Sequence, residues 1–198
     1  MLKIDKIKLI AVFAMALTTL AINAQSLDLR ILEAVNPRHP NSGYWIQTSA
    51  SAYWVPAVAS LGTLACGLIE NDKATRVKAF QLFVSVGGSI IISETIKPIV
   101  NRTRPANAHP TEIFTNSPTN GPSFPSGHAT LAFSTASMLA IQYRKWYLTV
   151  PAYLWAASVG YSRMYLGKHY PSDVLAGALI GTASSYVTRW LTKRLFKN

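Results

Sequence analysis

Apolar residues in this chain gather into blocks instead of alternating with polar ones. Uncharged runs cover residues 9–24, 50–69, 79–93, 129–143, 146–162 and 174–188. No stretch sustains a period of two, so the pattern predicts helices and no sheet, an all-α fold. The run over 50–69 is 20 residues long, enough to cross the hydrocarbon of a bilayer. The runs of 15 to 17 residues reach that length when flanking aromatic residues and snorkelling Lys or Arg are added. Together they predict a membrane-embedded helical bundle of five or six transmembrane helices. Small residues recur inside the runs, as in GALIGTASS at 177–185, and small residues let helices approach closely.

What lies between the blocks refines this picture. The chain opens MLKIDKIK, a basic start before the first apolar run, followed by small residues. That is the layout of a secretory signal, so 1–24 is expected to be a signal peptide or a signal anchor, with one domain over 25–198. Residues 25–49 are polar and turn-rich and are expected to be loop, with His39 exposed between two prolines. The longest irregular segment is 98–125, rich in Pro, Asn and Thr; a loop of that length in a compact helical domain usually serves function. Pro98 is expected to break any helix running through Lys97.

Charge adds topology. The net charge is +11 and the mean hydropathy +0.20. The basic residues form no single stripe, so nucleic acid is not an expected partner. They sit instead in alternate connectors: Lys73, Arg76 and Lys78; Arg144 and Lys145; Arg189, Lys193, Arg194 and Lys197. By the positive-inside rule these face the cytoplasm with the basic N-terminus, and the connectors near 97–128 and 162–173 face the other side. The one cysteine, Cys66, forms no internal disulfide and reads as a small buried apolar residue. No Cys/His cluster has metal-ligand spacing, so no metal is expected.

The two connectors on that far side carry three polar clusters: KPIVNRTRP at 97–105, PSGH at 125–128 and SRMYLGKHYPSD at 162–173. Ser126 reads as an N-cap of the helix that starts near Gly127. A helix start offers free N–H groups and partial positive charge to a phosphate, and Gly127 allows the backbone to come close. His128 falls in that first turn. Lys97, Arg104 and Arg163 supply further cationic donors, the arginines as forks matched to phosphate oxygens. Ser172 reads as a cap that places Asp173 in the first turn of the last helix. From there Asp173 would accept a hydrogen bond from one ring nitrogen of His169 and leave the other as a nucleophile or base. Arg102 and His109 have no role assigned by these patterns; His109 reads as a loop residue.

This three-part pattern, K-x6-RP, PSGH and SR-x5-H-x3-D, resembles the signature of the type 2 phosphatidic acid phosphatase superfamily and departs from it at no defined position. The resemblance covers about 97–180. It implies a helical core like that of acid phosphatases and haloperoxidases, and hydrolysis through a phosphohistidine without a metal or cofactor. In that scheme His169 attacks phosphorus, Asp173 orients it, and His128 protonates the leaving oxygen and then helps water attack. Lys97, Arg104, Arg163, Ser126 and Gly127 hold the phosphoryl oxygens. The implied partners are the lipid bilayer and a membrane lipid phosphate such as phosphatidic acid, phosphatidylglycerol phosphate, polyprenyl pyrophosphate or lipid A. The implied location is a bacterial-type inner membrane, with the site facing the periplasm or exterior. The same superfamily includes soluble secreted acid phosphatases, and vanadate-dependent haloperoxidases share its site; a phosphate-binding membrane protein without turnover is a further alternative.

Overall fold

The structure, a computed structural model, describes residues 26–195. The expected signal peptide or anchor over 1–24 lies outside the described residues. Among the described residues seven helices follow in order: α1 (26–35), α2 (Gly43–Ile69), α3 (Lys73–Val100), α4 (Pro105–Ala108), α5 (Gly127–Tyr143), α6 (Trp146–Tyr165) and α7 (Pro171–Leu195). There is no strand among the described residues. The fold is therefore all-helical, and each of the five apolar runs from 50 onward lies on one of the long helices.

The helix limits differ from the sequence expectations in instructive places. Residues 25–49 are not simply loop: α1 and the first turns of α2 occupy much of that segment. Pro98 does not end α3, which continues to Val100. A proline in a last turn gives up only one intrahelical bond. The stop falls instead at Asn101, in the left-handed region at φ 46°, whose N–H closes on the Lys97 carbonyl at 2.8 Å. Asn tolerates this conformation better than most residues. At its other end α3 is capped by Asp72, which accepts from the Ala74 and Thr75 N–H groups at 2.9 and 3.1 Å.

α5 is the central helix, packed by α2, α3, α6 and α7. Its contact with α7 is the closest. A methyl group on Gly177 would stand 2.5 Å from the Ser126 carbonyl oxygen, and one on Gly181 2.3 Å from that of Thr130. Only hydrogen fits there. The interior is built from Ala52, Ala132, Ala136, Ala156 and Val159 together with hydroxyl groups. Ser85 Oγ lies 2.8 Å from Ser134 Oγ and 2.9 Å from Ser185 Oγ, which joins α3, α5 and α7. Large apolar residues face outward instead, among them Leu61, Phe83, Ile91, Leu154, Leu179 and Trp190. Cys66 is on this outer face of α2 and is exposed, contrary to the expectation of burial. α2 and α3 are each long and apolar enough to cross a membrane by length and composition.

The two ends of the bundle are chemically distinct. Gln142 donates to the Lys78 carbonyl at 2.8 Å, Gln81 to Thr192 Oγ1 at 2.8 Å and Arg189 to Gln81 Oε1 at 3.3 Å. These bonds gather the start of α3, the end of α5 and the end of α7, and so the basic connectors, at one end. The polar clusters lie at the other. There α1 holds the connecting loops: Leu32, Ile113 and Tyr170 form a buried cluster, and Asn36 bonds the Phe114 backbone N–H and carbonyl and the Tyr165 carbonyl.

Candidate active site

The start of α5 and the start of α7 are tied side by side. The Ser126 N–H donates to the Asp173 carbonyl at 3.0 Å, and Gly177 lets the two helices touch just below. That brings the PSGH and the H-x3-D segments together. The third cluster arrives from the end of α3: Lys97 Nζ is 3.8 Å from where a Gly127 Cβ would stand. The fourth wall is α6, whose last turn carries Arg163.

His169 is 2% exposed. Its Nδ1 lies 2.8 Å from the Ser123 carbonyl oxygen. A carbonyl only accepts, so Nδ1 carries the hydrogen and the neutral ring keeps its lone pair on Nε2. Asp173 Oδ2 stands 3.6 Å from Nδ1, too far for the expected hydrogen bond. The Ser123 carbonyl takes that hydrogen, and Asp173 acts on the ring by charge. Burial pushes the His169 imidazole down to about 4; the Asp173 carboxylate pulls the other way, and the Arg163 and Arg104 charges add to the effect of burial. The Nε2 lone pair points among cations: Arg104 Nη1 is 3.4 Å away.

The arginines are held by backbone and hydroxyl oxygens. Arg104 donates to the Gly121 and Lys168 carbonyls, each at 3.1 Å. Arg163 Nη1 donates to Ser49 Oγ at 2.6 Å, while its buried Nε has no protein partner among the described residues. Ser126 Oγ is likewise buried without a partner. Ser126 does occupy the N-cap position, but its side chain makes no capping bond, a correction to the sequence reading. Unpaired polar atoms are uncommon in buried positions, and two of them at one cationic cleft are donors suited to an anion's oxygens. Lys97 pairs with Glu94 at 2.5 Å.

His128 is half-buried, its ring in a T-shaped contact with Tyr53 at a centroid distance of 4.7 Å. Arg163, Lys97, Arg104 and His169 are all close enough to act on it electrostatically. The starts of α5 and α7 and the ends of α3 and α6 therefore bring all eight residues singled out from the sequence to this one end of the bundle. Ser172 does not cap α7, which begins a residue earlier at Pro171, a residue suited to the first helical position. Its hydroxyl bonds Asp28 instead. His109 lies at the end of α4 beside Glu112, with Nδ1 3.3 Å from a carboxylate oxygen. Sequence reasoning missed Asp28, Ser49, Tyr53 and Ser123. None belongs to a pattern, and Ser123 contributes only its backbone. Glu94, three residues before Lys97, was visible as a helical ion-pair spacing.

The family model described as the PAP2 superfamily matches residues 78–197. A lipid A 4'-phosphatase of Bacteroides thetaiotaomicron is 36% identical over 180 residues, 85% of this chain and 78% of its own length. An undecaprenyl-diphosphatase of Sulfolobus acidocaldarius is 33% identical over 136 residues, 68% of this chain and 61% of that one. Among solved structures, Aquifex aeolicus LpxE superposes with a TM-score of 0.66 at 28% identity, covering 82% of this chain and 94% of its own.

Proposed function

This chain belongs to the PAP2 superfamily, and from that premise we propose that it is a membrane lipid phosphate phosphatase working through a phosphohistidine on His169. The observation that carries the proposal is the cleft itself. Lys97, Arg104 and Arg163 gather about His128 and His169 with two unpartnered buried donors, Ser126 Oγ and Arg163 Nε, and the Nε2 lone pair of His169 faces Arg104 Nη1 at 3.4 Å.

In this reading the cations and Ser126, with the N–H of Gly127, hold the phosphoryl oxygens. His169 Nε2 attacks phosphorus, and a P–N bond forms as the P–O bond to the lipid breaks. His128, protonated beside the bound phosphate dianion, gives its proton to the leaving oxygen. Neutral His128 then takes a proton from water, whose oxygen displaces His169 and releases inorganic phosphate. Asp173 fixes the ring of His169 and stabilises the positive charge that develops on it.

The membrane setting is supported by the outward apolar faces and the interior of small and hydroxyl-bearing residues. We assign five spans to α2, α3, α5, α6 and α7, with the basic end in the cytoplasm and the cleft on the periplasmic or outer side. The substrates of the relatives, lipid A phosphates and undecaprenyl diphosphate by their names, point to a phosphate group carried on a lipid anchor. The test is phosphate release from purified lipid A, polyprenyl diphosphate, phosphatidylglycerol phosphate and phosphatidic acid in detergent. Activity on at least one, lost in a folded His169→Ala protein, is the expected result. Release of the protein from membranes by carbonate without detergent would end the membrane reading.

A further inference from the structure

Arg102 falls within the 97–105 segment but at no defined position of the three-part pattern, yet its side chain makes three hydrogen bonds and a ring contact at that end of the molecule. Its Nη1 donates to Asp173 Oδ1 and to Ser172 Oγ, each at 2.7 Å. Its Nη2 donates to Asp28 Oδ2 at 2.8 Å. The guanidinium also stacks 3.8 Å over the Tyr170 ring, next in sequence to His169. Asp28, on α1, is buried; it accepts from the Ser172 N–H at 2.9 Å and from the Ser172 hydroxyl.

The two oxygens of Asp173 are thereby divided. Oδ1 is held by Arg102, while Oδ2 accepts from the Tyr170 N–H at 2.9 Å and faces the His169 ring at 3.6 Å. Asp173 is 0% exposed, so water cannot compensate its charge. We propose that Arg102 and Asp28 are positioning residues of this cleft, a chain Asp28–Arg102–Asp173–His169 in which α1 fixes the carboxylate beside the nucleophile and shares its charge. Arg102 keeps Asp173 from turning toward Nδ1 and draws off part of its field. A ring left with the full field of an unshared carboxylate would bind a proton more readily and lose its lone pair. Asp28 in turn sets how much of the Arg102 charge reaches Asp173. The other charged or titratable groups that face His169 are Arg104 before α4, Arg163 from α6 and His128 from α5. None of them touches Arg102.

The inference rests on His169 as the nucleophile, so its test needs a readout that survives failure of that role. The full chain in detergent is compared with Arg102→Gln, Arg102→Lys and Asp28→Asn in two measurements. One is the pH dependence of kcat and KM on a lipid phosphate; the other is the titration of the His169 ring by NMR of protein carrying labelled histidine. Arg102→Gln is expected to lower kcat by about tenfold or more at little change in KM, the scale for residues that orient a reacting group from behind. It should also move the His169 titration to higher pH, by about one unit. Arg102→Lys should recover part of both. Asp28→Asn should move the titration the opposite way, because Arg102 then bears on Asp173 undivided. Charge alone would also give opposed shifts, so the positioning role is read from the fall in kcat at unchanged KM together with its partial recovery in Arg102→Lys; shifts with unchanged kcat overturn the proposal. An unmoved titration in Arg102→Gln, or shifts of one sign in both variants, overturns the proposal. If Arg102→Gln does not fold, an unmoved titration in Asp28→Asn overturns it instead. A wild type without phosphatase activity would defeat the function proposed above, while the NMR titrations would still decide the charge sharing that this inference asserts.

Discussion

His169 is enclosed: one ring nitrogen meets a backbone carbonyl, a carboxylate stands beside it, and an arginine approaches the other nitrogen. His128 is half-buried on the first turn of α5, in a T-shaped contact with Tyr53, with no hydrogen bond from its ring among the described residues. The difference matches two kinds of work. A nucleophile needs a fixed lone pair and a neutral ring. A group that gives a proton to one oxygen and takes one from water needs room to meet both. Lone-pair direction at His169 is set by the protein; in the proposed scheme, proton transfer at His128 is left to substrate and solvent.

Mutating each ring should break the comparison first and most strongly. His169→Ala is expected to lower kcat by about 10⁴-fold or more with every substrate, because the covalent route is lost. His128→Ala should lower kcat/KM, which reports the steps through P–O cleavage, by about 10²- to 10⁴-fold on an alkyl phosphate but much less on p-nitrophenyl phosphate, whose leaving group needs no proton. Equal losses on both substrates would remove the acid role from His128.

The pH profile sharpens the same contrast. Because burial holds the His169 ring down to about 4, that ring stays neutral from physiological pH to near that value, as the proposed nucleophile must. The unfolded chain binds a proton there at the ordinary histidine value of about 6.5. His169 therefore lets fold stability decline as pH falls from about 6.5 toward 4, with no further change below. Denaturant midpoints across that range should flatten in His169→Gln relative to the wild type.

A smaller effect addresses how the two rings share one cleft. Gly177→Ala would press a methyl group against the Ser126 carbonyl, where only 2.5 Å is open. The start of α5 and the start of α7 must then separate. Overpacking of this kind costs about 1–3 kcal/mol, visible as a lowered Tm, and kcat should fall with it as the rings part. Smallest is Asp72→Ala at the opposite end of α3. Loss of that cap should cost about 1 kcal/mol without changing kcat/KM in the protein that stays folded.

The cluster residues were legible because their chemistry needs particular side chains at fixed spacing. The apolar runs were legible because helices without sheets leave no alternation. Other features were hidden for physical reasons. α1 reads as polar because only Leu29 and Leu32 join a small apolar cluster while Asp28 turns to Arg102, so its part in holding the site did not show. Pro98 signalled a break that a last turn absorbs. The Asp173–His169 spacing suggested a direct hydrogen bond, and only the fold reveals that Ser123, 46 residues away, supplies the carbonyl. Cys66 looked buried because apolar neighbours usually mean a core; in this molecule they mark the outside.

Rapid mixing with a lipid phosphate, an alkaline quench that preserves phosphohistidine, and mass spectrometry of the digest test the central assignment most directly. The expected result is a phosphoryl group on the peptide containing His169, more abundant in His128→Ala turning over p-nitrophenyl phosphate, since water then attacks the intermediate slowly. Phosphoryl transfer to any other residue, or hydrolysis with inversion at phosphorus and no covalent adduct, would contradict it.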